Sequence, residues 1–317
     1  MNLIDVRVHA IRMEAETIHS FELRSPTGSA LPPFTAGAHI EVHMDGHLAR
    51  SYSIANDPAQ TDRYVIAVNK EAAGRGGSRF MHANIRVGQT LRVEAPRNNF
   101  ELFEQAPHSV FIAGGIGVTP MLSMIARMQR LGKPWTLHYG GRERRLMAFL
   151  DELMGMKQLG ADVRLHVDAE AGGRVLDMVS VVRDCPPGSH LYCCGPKPML
   201  AAFEDATQAL PQERVHVEYF SAKEEAAADG GFVVQLARSG RTLPVAAGKT
   251  ILDTILDAGV QADFSCMEGV CGSCEVKVLD GVPDHRDSVL SNKERAANDR
   301  MMVCCSGSRS QRLVLDL

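Results

Sequence analysis

Four cysteines carry the most definite chemistry in this chain of 317 residues: Cys266, Cys271, Cys274 and Cys304, spaced C-x4-C-x2-C-x29-C. The spacing of the first three is the plant-type arrangement in which, with a fourth, thiolates hold two sulfide-bridged irons, a [2Fe-2S] cluster. The loop between them, Met267-Glu268-Gly269-Val270 and then Gly272-Ser273, is rich in glycine. A backbone that wraps closely can aim its N–H groups at the sulfurs and stabilise their negative charge. Zinc also takes four cysteines, but its knuckles pair two C-x2-C units and only one is present; free thiols are the other alternative. Cys305 competes with Cys304 for the fourth place. If the strand Met301-Met302-Val303 continues through them, residues 302 and 304 share one face and 303 and 305 the other, so only one of the pair faces the cluster. The sequence alone does not choose.

Two further groups could hold nucleotides. Arg50-Ser51-Tyr52-Ser53 lies on a β-type run, and Gly76-Gly77-Ser78 stands just ahead of a short helical stretch. A guanidinium takes a phosphate bidentately, and glycine amides at a helix start bind anions; an aromatic ring beside them can pack on a flat cofactor. Downstream, Gly114-Gly115-Ile116-Gly117-Val118-Thr119-Pro120 follows an apolar strand and opens a helix, with Thr119 expected as N-cap and Pro120 in the first turn. That would put amides and the positive helix end at the carboxyl edge of a parallel sheet, although the G-x-G-x-x-G fingerprint is absent. Cys193-Cys194-Gly195-Pro196 should reach the same edge from a later strand. Cysteines on strands are more often core residues than reactive ones.

The elements that must position these groups change character along the chain. Val6 to Val8, Phe21 to Leu23, Ile40 to Met44, Ser51 to Ile54, Tyr64 to Val68 and Leu91 to Val93 are short β-rich runs, with Asp45-Gly46 as a hairpin turn. Six strands in under 100 residues predict a small antiparallel β-barrel. After Pro107, apolar strands at Val110 to Ala113, Trp135 to Tyr139, Val163 to Val167, His190 to Cys193 and Val215 to Tyr219 alternate with helical patterns such as Met121, Leu122, Ile125 and Met128. This alternation predicts βα units and a parallel sheet. The uncharged stretch Ser109 to Ala126 is long enough to hint at a membrane span, but its glycines and proline would leave backbone groups unpaired in lipid. Glu224 to Gly231 is small and polar, as a linker is. Beyond it, Phe232 to Leu236 and Leu243 to Val245 flank Ser239-Gly240 as a hairpin, and Thr250 to Ala258 is a helix capped by Thr250 and closed by Gly259.

At about 150 residues per domain the length gives two domains, and three are accommodated. With 45% apolar and 23% charged residues and a mean hydropathy of −0.10, the chain is of the soluble globular class. Lys+Arg 34 against Asp+Glu 38, a net charge of −4, supplies no basic field for nucleic acid or membrane. Asp5, Arg7, Arg12, Glu14 and Glu16 interrupt the apolar run that an export signal needs, and the eight cysteines, clustered rather than spread, suit reduced thiols in a cytoplasmic protein.

Taken in order, R-S-Y-S, G-G-S, G-G-I-G-V-T-P-M, Y-C-C-G-P, E-Y-F and the cysteine set make the sequence resemble the ferredoxin-NADP reductase superfamily with a ferredoxin fused at the carboxyl end, in particular its phthalate dioxygenase reductase and vanillate demethylase reductase type. The resemblance covers nearly the whole chain. It implies a multidomain protein with an antiparallel β-barrel flavin domain at 1–105, an α/β parallel-sheet nucleotide domain at 106–223 and, after a linker at 224–230, an α+β β-grasp ferredoxin domain at 231–317. It further implies that Arg50, with Ser51 beside it, binds the flavin phosphate opposite Gly76, Gly77 and Ser78, that Tyr52 packs on the ring system, and that Ser53 sits near the nitrogen that receives hydride. Gly115, Gly117 and Thr119 would belong to the pyridine-nucleotide loop, and Cys194 and Gly195 to the nicotinamide side. Glu218 and Phe220 match the family's E-x-aromatic element, whose ring covers the flavin. Ser53, Cys194, Glu218 and Phe220 are thereby the expected catalytic residues, and Cys304 rather than Cys305 the fourth cluster ligand.

The domain order implies FMN rather than FAD. Asp168, at the end of the third parallel strand, implies NADH, since a carboxylate can bond a ribose hydroxyl but repels a 2′-phosphate. NADH gives two electrons at once and a [2Fe-2S] cluster accepts one, so a flavin must stand between them. The implied partner is a Rieske-type terminal oxygenase, with no nucleic acid or membrane and with the reductase itself a monomer. The alternative is a stand-alone NADH-dependent flavin, ferric or other acceptor reductase.

Overall fold

The structure, a computed structural model, describes residues 3–44, 48–71 and 76–317. By contacts the chain divides into two compact units, Met1–Glu218 and Tyr219–Leu317. The first unit opens with β1 (Leu3–Ala15), β2 (Ile18–Arg24), β3 (His39–His43), β4 (Ala49–Ser53), β5 (Arg63–Asn69), the helix α1 (Gly77–Asn84) and β6 (Thr90–Glu94). These form one antiparallel sheet in the order β4-β3-β6-β1-β2-β5, and each of the six expected β runs falls on one of its strands. The two outer strands meet just past β4: the Ala55 N–H donates to the Val65 carbonyl at 2.8 Å, and Ile54 bridges Ile66. Alternation places Val6, Val8, Phe21, Leu23, Ile40, Val42, Tyr64 and Ile66 in a core that is almost wholly dry. The Asp45-Gly46 turn lies outside the described residues.

The same unit continues with β7 (Ser109–Gly114), α2 (Val118–Leu131), β8 (Trp135–Gly141), α3 (Leu150–Gln158), β9 (Asp162–Val167), α4 (Met178–Arg183), β10 (His190–Cys194), α5 (Lys197–Thr207) and β11 (Val215–Glu218). All five strands are parallel, in the order β11-β10-β7-β8-β9. The chain moves outward from β7 through β8 to β9, then returns to β10 on the other side of β7. Strand order therefore reverses between β7 and β10, which opens the crevice where such sheets bind ligands. The stretch that hinted at a membrane span is β7, a glycine turn and the buried face of α2; no described helix is long and apolar enough to cross a membrane.

The two sheets are joined by packing, which explains why they form a single compact unit. Ile18, Ala36, Ala55, Ala67 and Phe100 from the first region share one core with Phe111, Val118, Met121, Leu122, Met124 and Ile125 of the second. Polar bonds pin the same seam: the Gly37 N–H donates to the buried Ser123 Oγ at 3.1 Å, and the Phe103 N–H to the Tyr192 hydroxyl at 2.8 Å.

The second unit holds β12 (Phe232–Leu236), β13 (Thr242–Val245), α6 (Ile251–Asp257), β14 (Glu275–Asp280), β15 (Pro283–Asp284), α7 (Asn292–Ala297), β16 (Arg300–Met302), β17 (Gly307–Ser308) and β18 (Arg312–Leu315). Its mixed sheet runs β13-β12-β18-β14-β16, with β15 and β17 as a separate pair. The helix expected after the hairpin is α6; Thr250 caps it through a full capping box with Asp253, and Gly259 follows in the left-handed region. The segment expected as a linker has no regular structure, yet it is fastened to this unit: the Ala227 N–H donates to Cys305 O at 2.8 Å, and Ala228 O accepts from Gly248 N at 2.7 Å. Small side chains suit a strand of chain laid closely on its neighbours as well as they suit a free tether.

A charged cluster lies on the face of β3 turned away from the apolar core. Glu41 is buried, and its carboxylate and that of Glu94 are both met by Arg97 Nη2, at 3.3 and 3.0 Å, while His43 Nε2 stands 3.3 and 3.6 Å from their other oxygens. Two carboxylates this close need a cation between them. Arg97→Ala should lower the stability of the first unit by about 1–3 kcal/mol, less than for a fully buried pair because the guanidinium is partly exposed and screened. Urea unfolding followed by circular dichroism would check this, and an unchanged midpoint would refute it.

Candidate functional site

Each nucleotide motif in the first unit sits at an edge or end of a strand. Arg50, Ser51, Tyr52 and Ser53 lie along β4, paired to β3 in the register Val42–Arg50 through His39–Ser53. Arg50 Nη1 donates to Ala49 O at 2.7 Å, and the aliphatic stem of Arg50 lies against Gly77. Gly76, at φ 95°, precedes α1, and Ser78 Oγ accepts the Glu71 N–H at 3.0 Å. The segment Gly76-Gly77-Ser78 and the R-S-Y-S strand are thus brought together across the sheet. Ser51 Oγ is buried with no hydrogen-bond partner among the described residues, and burial pushes the Tyr52 phenol well above its ordinary range against a smaller opposing pull from Arg50. An orphaned hydroxyl, a guanidinium, glycine amides and a desolvated ring are the donor set that a phosphate-bearing aromatic cofactor requires, so the residues fit a flavin nucleotide.

At the switch point, Gly115 to Gly117 form a single 3-10 turn that runs directly into α2. Helix α2 therefore starts at Val118, with Gly117 at its N-cap. This corrects the expectation for Thr119: its hydroxyl does not cap but donates back to Ile116 O at 3.0 Å, a bond that tightens the preceding turn. Pro120 is in the first turn as expected. Gly117 packs on the end of β10 so closely that a Cβ there would lie 2.2 Å from Cys194 O. The two glycine-bearing segments, 114–117 and 194–195, are consequently one surface.

Cys194 pairs in register with Ala113 on one side and Glu218 on the other. Its thiol is fully buried and hydrogen-bonded to the Glu218 carboxyl, and Ser53 Oγ donates to Glu218 Oε2 at 3.4 Å. Ser53 from the antiparallel sheet, and Cys194 and Glu218 from the parallel one, so form one hydrogen-bonded set. Burial raises the Glu218 pKa to about 8, with the bonds from Ser53 and Cys194 pulling weakly the other way; burial likewise pushes the Cys194 thiol far up. Both groups are neutral at pH 7. Asp168, just beyond β9, is half-buried 3.6 Å from His166 Nε2, which donates to Arg174 O at 2.7 Å. Arg144 is held bidentately by Glu170, a pairing without any local sequence signal. Phe220 belongs to the second unit, where its ring is 41% exposed.

The second unit collects the cysteines. Cys266, Cys271, Cys274 and Cys304 are all buried, and the sulfurs of 266 and 271, 266 and 304, and 274 and 304 lie within hydrogen-bonding reach of one another. Backbone donors point inward: the Glu268 N–H to Cys266 Sγ at 3.3 Å, the Gly269 N–H to Cys304, and the Ser273 N–H to Cys271. Met267, Gly269 and Gly272 adopt positive φ, which turns successive amides toward the enclosed sulfurs. Four converging thiols ringed by amide donors fit an iron–sulfur cluster. The reasoning from strand alternation at residues 304 and 305 is overturned, because β16 ends at Met302 and residues 303–305 form a turn, closed by the Cys305 and Ser306 N–H groups on Met302 O. Ser273 and Asp287 went unnoticed in the sequence. Ser273 Oγ lies 3.2 Å from Cys271 Sγ, and buried Asp287 accepts from the Val289 and Leu290 amides beside the cluster loop.

Comparison with known proteins agrees with both halves. Residues 111–205 match the oxidoreductase NAD-binding domain, and residues 234–308 the 2Fe-2S iron-sulfur cluster binding domain. Over 315 residues the chain is 53% identical to the phenoxybenzoate dioxygenase subunit beta of Ectopseudomonas oleovorans, covering 99% of this chain and 97% of that one. It is 49% identical over 320 residues to the tetrachlorobenzoquinone reductase of Sphingobium chlorophenolicum, covering 100% and 99%. Among solved structures, phthalate dioxygenase reductase superposes with a TM-score of 0.75 at 38% identity, covering 100% of this chain and 98% of that one. On full-length similarity of this order, the chain belongs to the phthalate dioxygenase reductase family: an NAD-linked oxidoreductase joined to a carboxyl-terminal [2Fe-2S] domain.

Proposed function

We infer that this chain is the reductase component of a two-component oxygenase, taking electrons from NADH through FMN to the [2Fe-2S] cluster and on to a Rieske-type non-haem iron partner in the cytoplasm. The observation that carries the reading is the Ser53–Glu218–Cys194 set, which gathers at the sheet's switch point groups from the strand that bears Arg50 and Tyr52 and from the strands beside the glycine loop. Three domains serve it: a closed barrel over 1–105, its ends joined at Ile54 and Ile66; the parallel-sheet domain over 106–223; and a β-grasp over 231–317, in which α6 packs on the mixed sheet.

When bound, FMN supplies the conversion of a hydride pair into single electrons. Arg50 takes the phosphate, assisted by Ser51 and by the amides and hydroxyl of Gly76, Gly77 and Ser78, while Tyr52 covers the ring. Gly115, Gly117, Thr119 and Gly195 shape the surface on which the dinucleotide lies, and Asp168 bonds its ribose. Ser53, Cys194 and Glu218 would stand at the hydride-transfer side; Phe220, expected with them, belongs to the second unit. At the hydride-transfer side a neutral Glu218 can accept the Ser53 hydroxyl bond without setting a bare charge beside the cofactor. Cys266, Cys271, Cys274 and Cys304 ligate the cluster. The identity to a quinone reductase favours a second reading, in which a quinone takes electrons directly from the reduced enzyme. Purified protein mixed with NADH and either a benzoquinone or a Rieske oxygenase separates the two, because the first reading requires fast oxygenase turnover that depends on an intact cluster.

Arg50→Ala should weaken FMN retention about tenfold to a hundredfold, since a charge-assisted phosphate contact contributes roughly 1.5–3 kcal/mol, and should leave the cluster spectrum intact. Flavin content after gel filtration measures it. NADH should exceed NADPH in kcat/KM, and Asp168→Ser should narrow the ratio; equal values in the unaltered protein would remove the role assigned to Asp168. Because Glu218 is held neutral up to about pH 8, its contribution to stability is complete below the ordinary carboxylate range and fades as pH rises through about 8. The rate of flavin reduction by NADH should fall over that same rise. Glu218→Gln should flatten the profile, and stopped-flow absorbance from pH 6 to 9.5 would reveal a persistent step if another group were responsible.

A further inference from the structure

The first unit holds a second set of metal-ligating side chains, remote in sequence from the cysteines. Glu41 and His43 share one face of β3, and Glu94 comes alongside from β6. Arg97 Nη2 holds the Oε2 atom of each carboxylate, at 3.3 Å for Glu41 and 3.0 Å for Glu94. The Oε1 atoms of the same two groups both turn to His43 Nε2, which stands 3.3 Å from the first and 3.6 Å from the second. Neither approach is a hydrogen bond. His43 Nε2 and Glu94 Oε1 are enclosed with no hydrogen-bond partner among the described residues, and Glu94 is only 7% exposed. A buried carboxylate oxygen left bare is costly, and a cation placed where these atoms converge would remove that cost.

We propose that Glu41, His43 and Glu94 form a zinc-binding site, with one carboxylate oxygen from each glutamate and the imidazole Nε2 as ligands. The three ligand atoms lie within 4.8 Å of one another. Zinc bonds nitrogen and oxygen at about 2.0–2.2 Å in a tetrahedron, whose edges are then about 3.3–3.6 Å. The separations of His43 Nε2 from the two oxygens, 3.3 and 3.6 Å, already have this length. Magnesium demands an octahedron at about 2.0–2.1 Å, with edges of about 2.9 Å, and calcium takes about six to eight oxygens, so neither suits an imidazole at these spacings. Arg97 orients the ligands: it holds the Oε2 atoms and so leaves the Oε1 atoms facing His43. Two carboxylates against one guanidinium also leave that trio a net negative charge to attract the ion. The His43 side chain is 24% exposed, which opens the site to solvent and leaves a fourth position for water. The ion would clamp β3 to β6, and β3 is the strand to which β4, with Arg50 and Tyr52, is paired. Its effect is thus on the stability of the first unit.

The test is calorimetric titration of the full-length, cofactor-loaded protein with zinc chloride, in the unaltered chain and in His43→Ala and Glu94→Gln. The unaltered chain should take up one ion and gain melting temperature with it. Each variant should bind at least tenfold more weakly while keeping its flavin and cluster spectra, and Glu94→Gln preserves the size and shape of the side chain it replaces. Zinc-edge X-ray absorption of the unaltered protein needs no variant: it should show nitrogen and oxygen alone at about 2.0–2.2 Å. A sulfur shell at about 2.3 Å would put the ion on the cysteines and overturn the proposal. Absence of binding, binding of equal strength in the variants, or displacement of the zinc by an equal concentration of magnesium or calcium would overturn it too.

Discussion

A carboxyl group buried without a counter-charge governs how the first unit is put together. Glu218 ends the edge strand of the parallel sheet, its carboxyl turned inward, and among the described residues the Ser53 hydroxyl and the Cys194 thiol are its side-chain partners. Burial of a carboxylate with so little compensation is prohibitive, so the group keeps its proton, and a neutral acid can be tolerated where a charge could not. This makes the site depend on exact seating of two sheets that have no strand in common. Ser53 must arrive from β4, and it does so because Phe100, Ala55 and Ile18 pack against α2 in a shared core while Gly37 and Ser123 fix the seam. Apolar packing distributed over the whole interface is therefore what holds a weak polar set in place.

The same seating explains the backbone at the switch point. For the nucleotide loop and the end of β10 to act as one surface, residues 114–117 must lie almost in contact with residues 194–195, and a side chain at position 117 would separate them by colliding with the Cys194 carbonyl. Sequence shows the glycines as a run; only the topology shows that their partner is a segment some 75 residues downstream, returned to β7 by the reversal of strand order. Thr119 belongs to this economy of space. Its buried hydroxyl satisfies Ile116 O and so lets a tight 3-10 turn pass into a helix without leaving that carbonyl bare.

What could be read from the residues was whatever a local pattern enforces. Strand alternation found all six strands of the first sheet, the change of period found the parallel strands, and a threonine cap with a closing glycine found α6. The strands β14, β15, β17 and β18 were not foreseen, because they are set by pairing with distant partners. Helix α2 began earlier than expected since a threonine ahead of a proline imitates a cap when the true cap is a glycine. Within the candidate site, the four clustered cysteines announced themselves by spacing, whereas Ser273, Asp287 and the Arg144–Glu170 pair did not. Each of these acts through a partner fixed by folding, and a residue's sequence neighbours say nothing of that.

The failure of alternation at residues 304 and 305 has a physical cause. A strand offers its N–H groups sideways to neighbouring strands, so a ligand carried on one would be served by few amides. Cluster sulfurs need those amides turned inward, and a turn can provide this while a strand cannot. The same requirement appears at the other proposed ligands, where Met267, Gly269 and Gly272 take up positive φ between Cys266 and Cys274. Met267 pays for that conformation without the freedom of a glycine, which a packed loop can enforce but an isolated peptide would not adopt. The ligand loop and the 303–305 turn are thus two solutions to one problem, bending the backbone around charge, and β16 stops at Met302 because the chain must leave the sheet before it can reach the metal site.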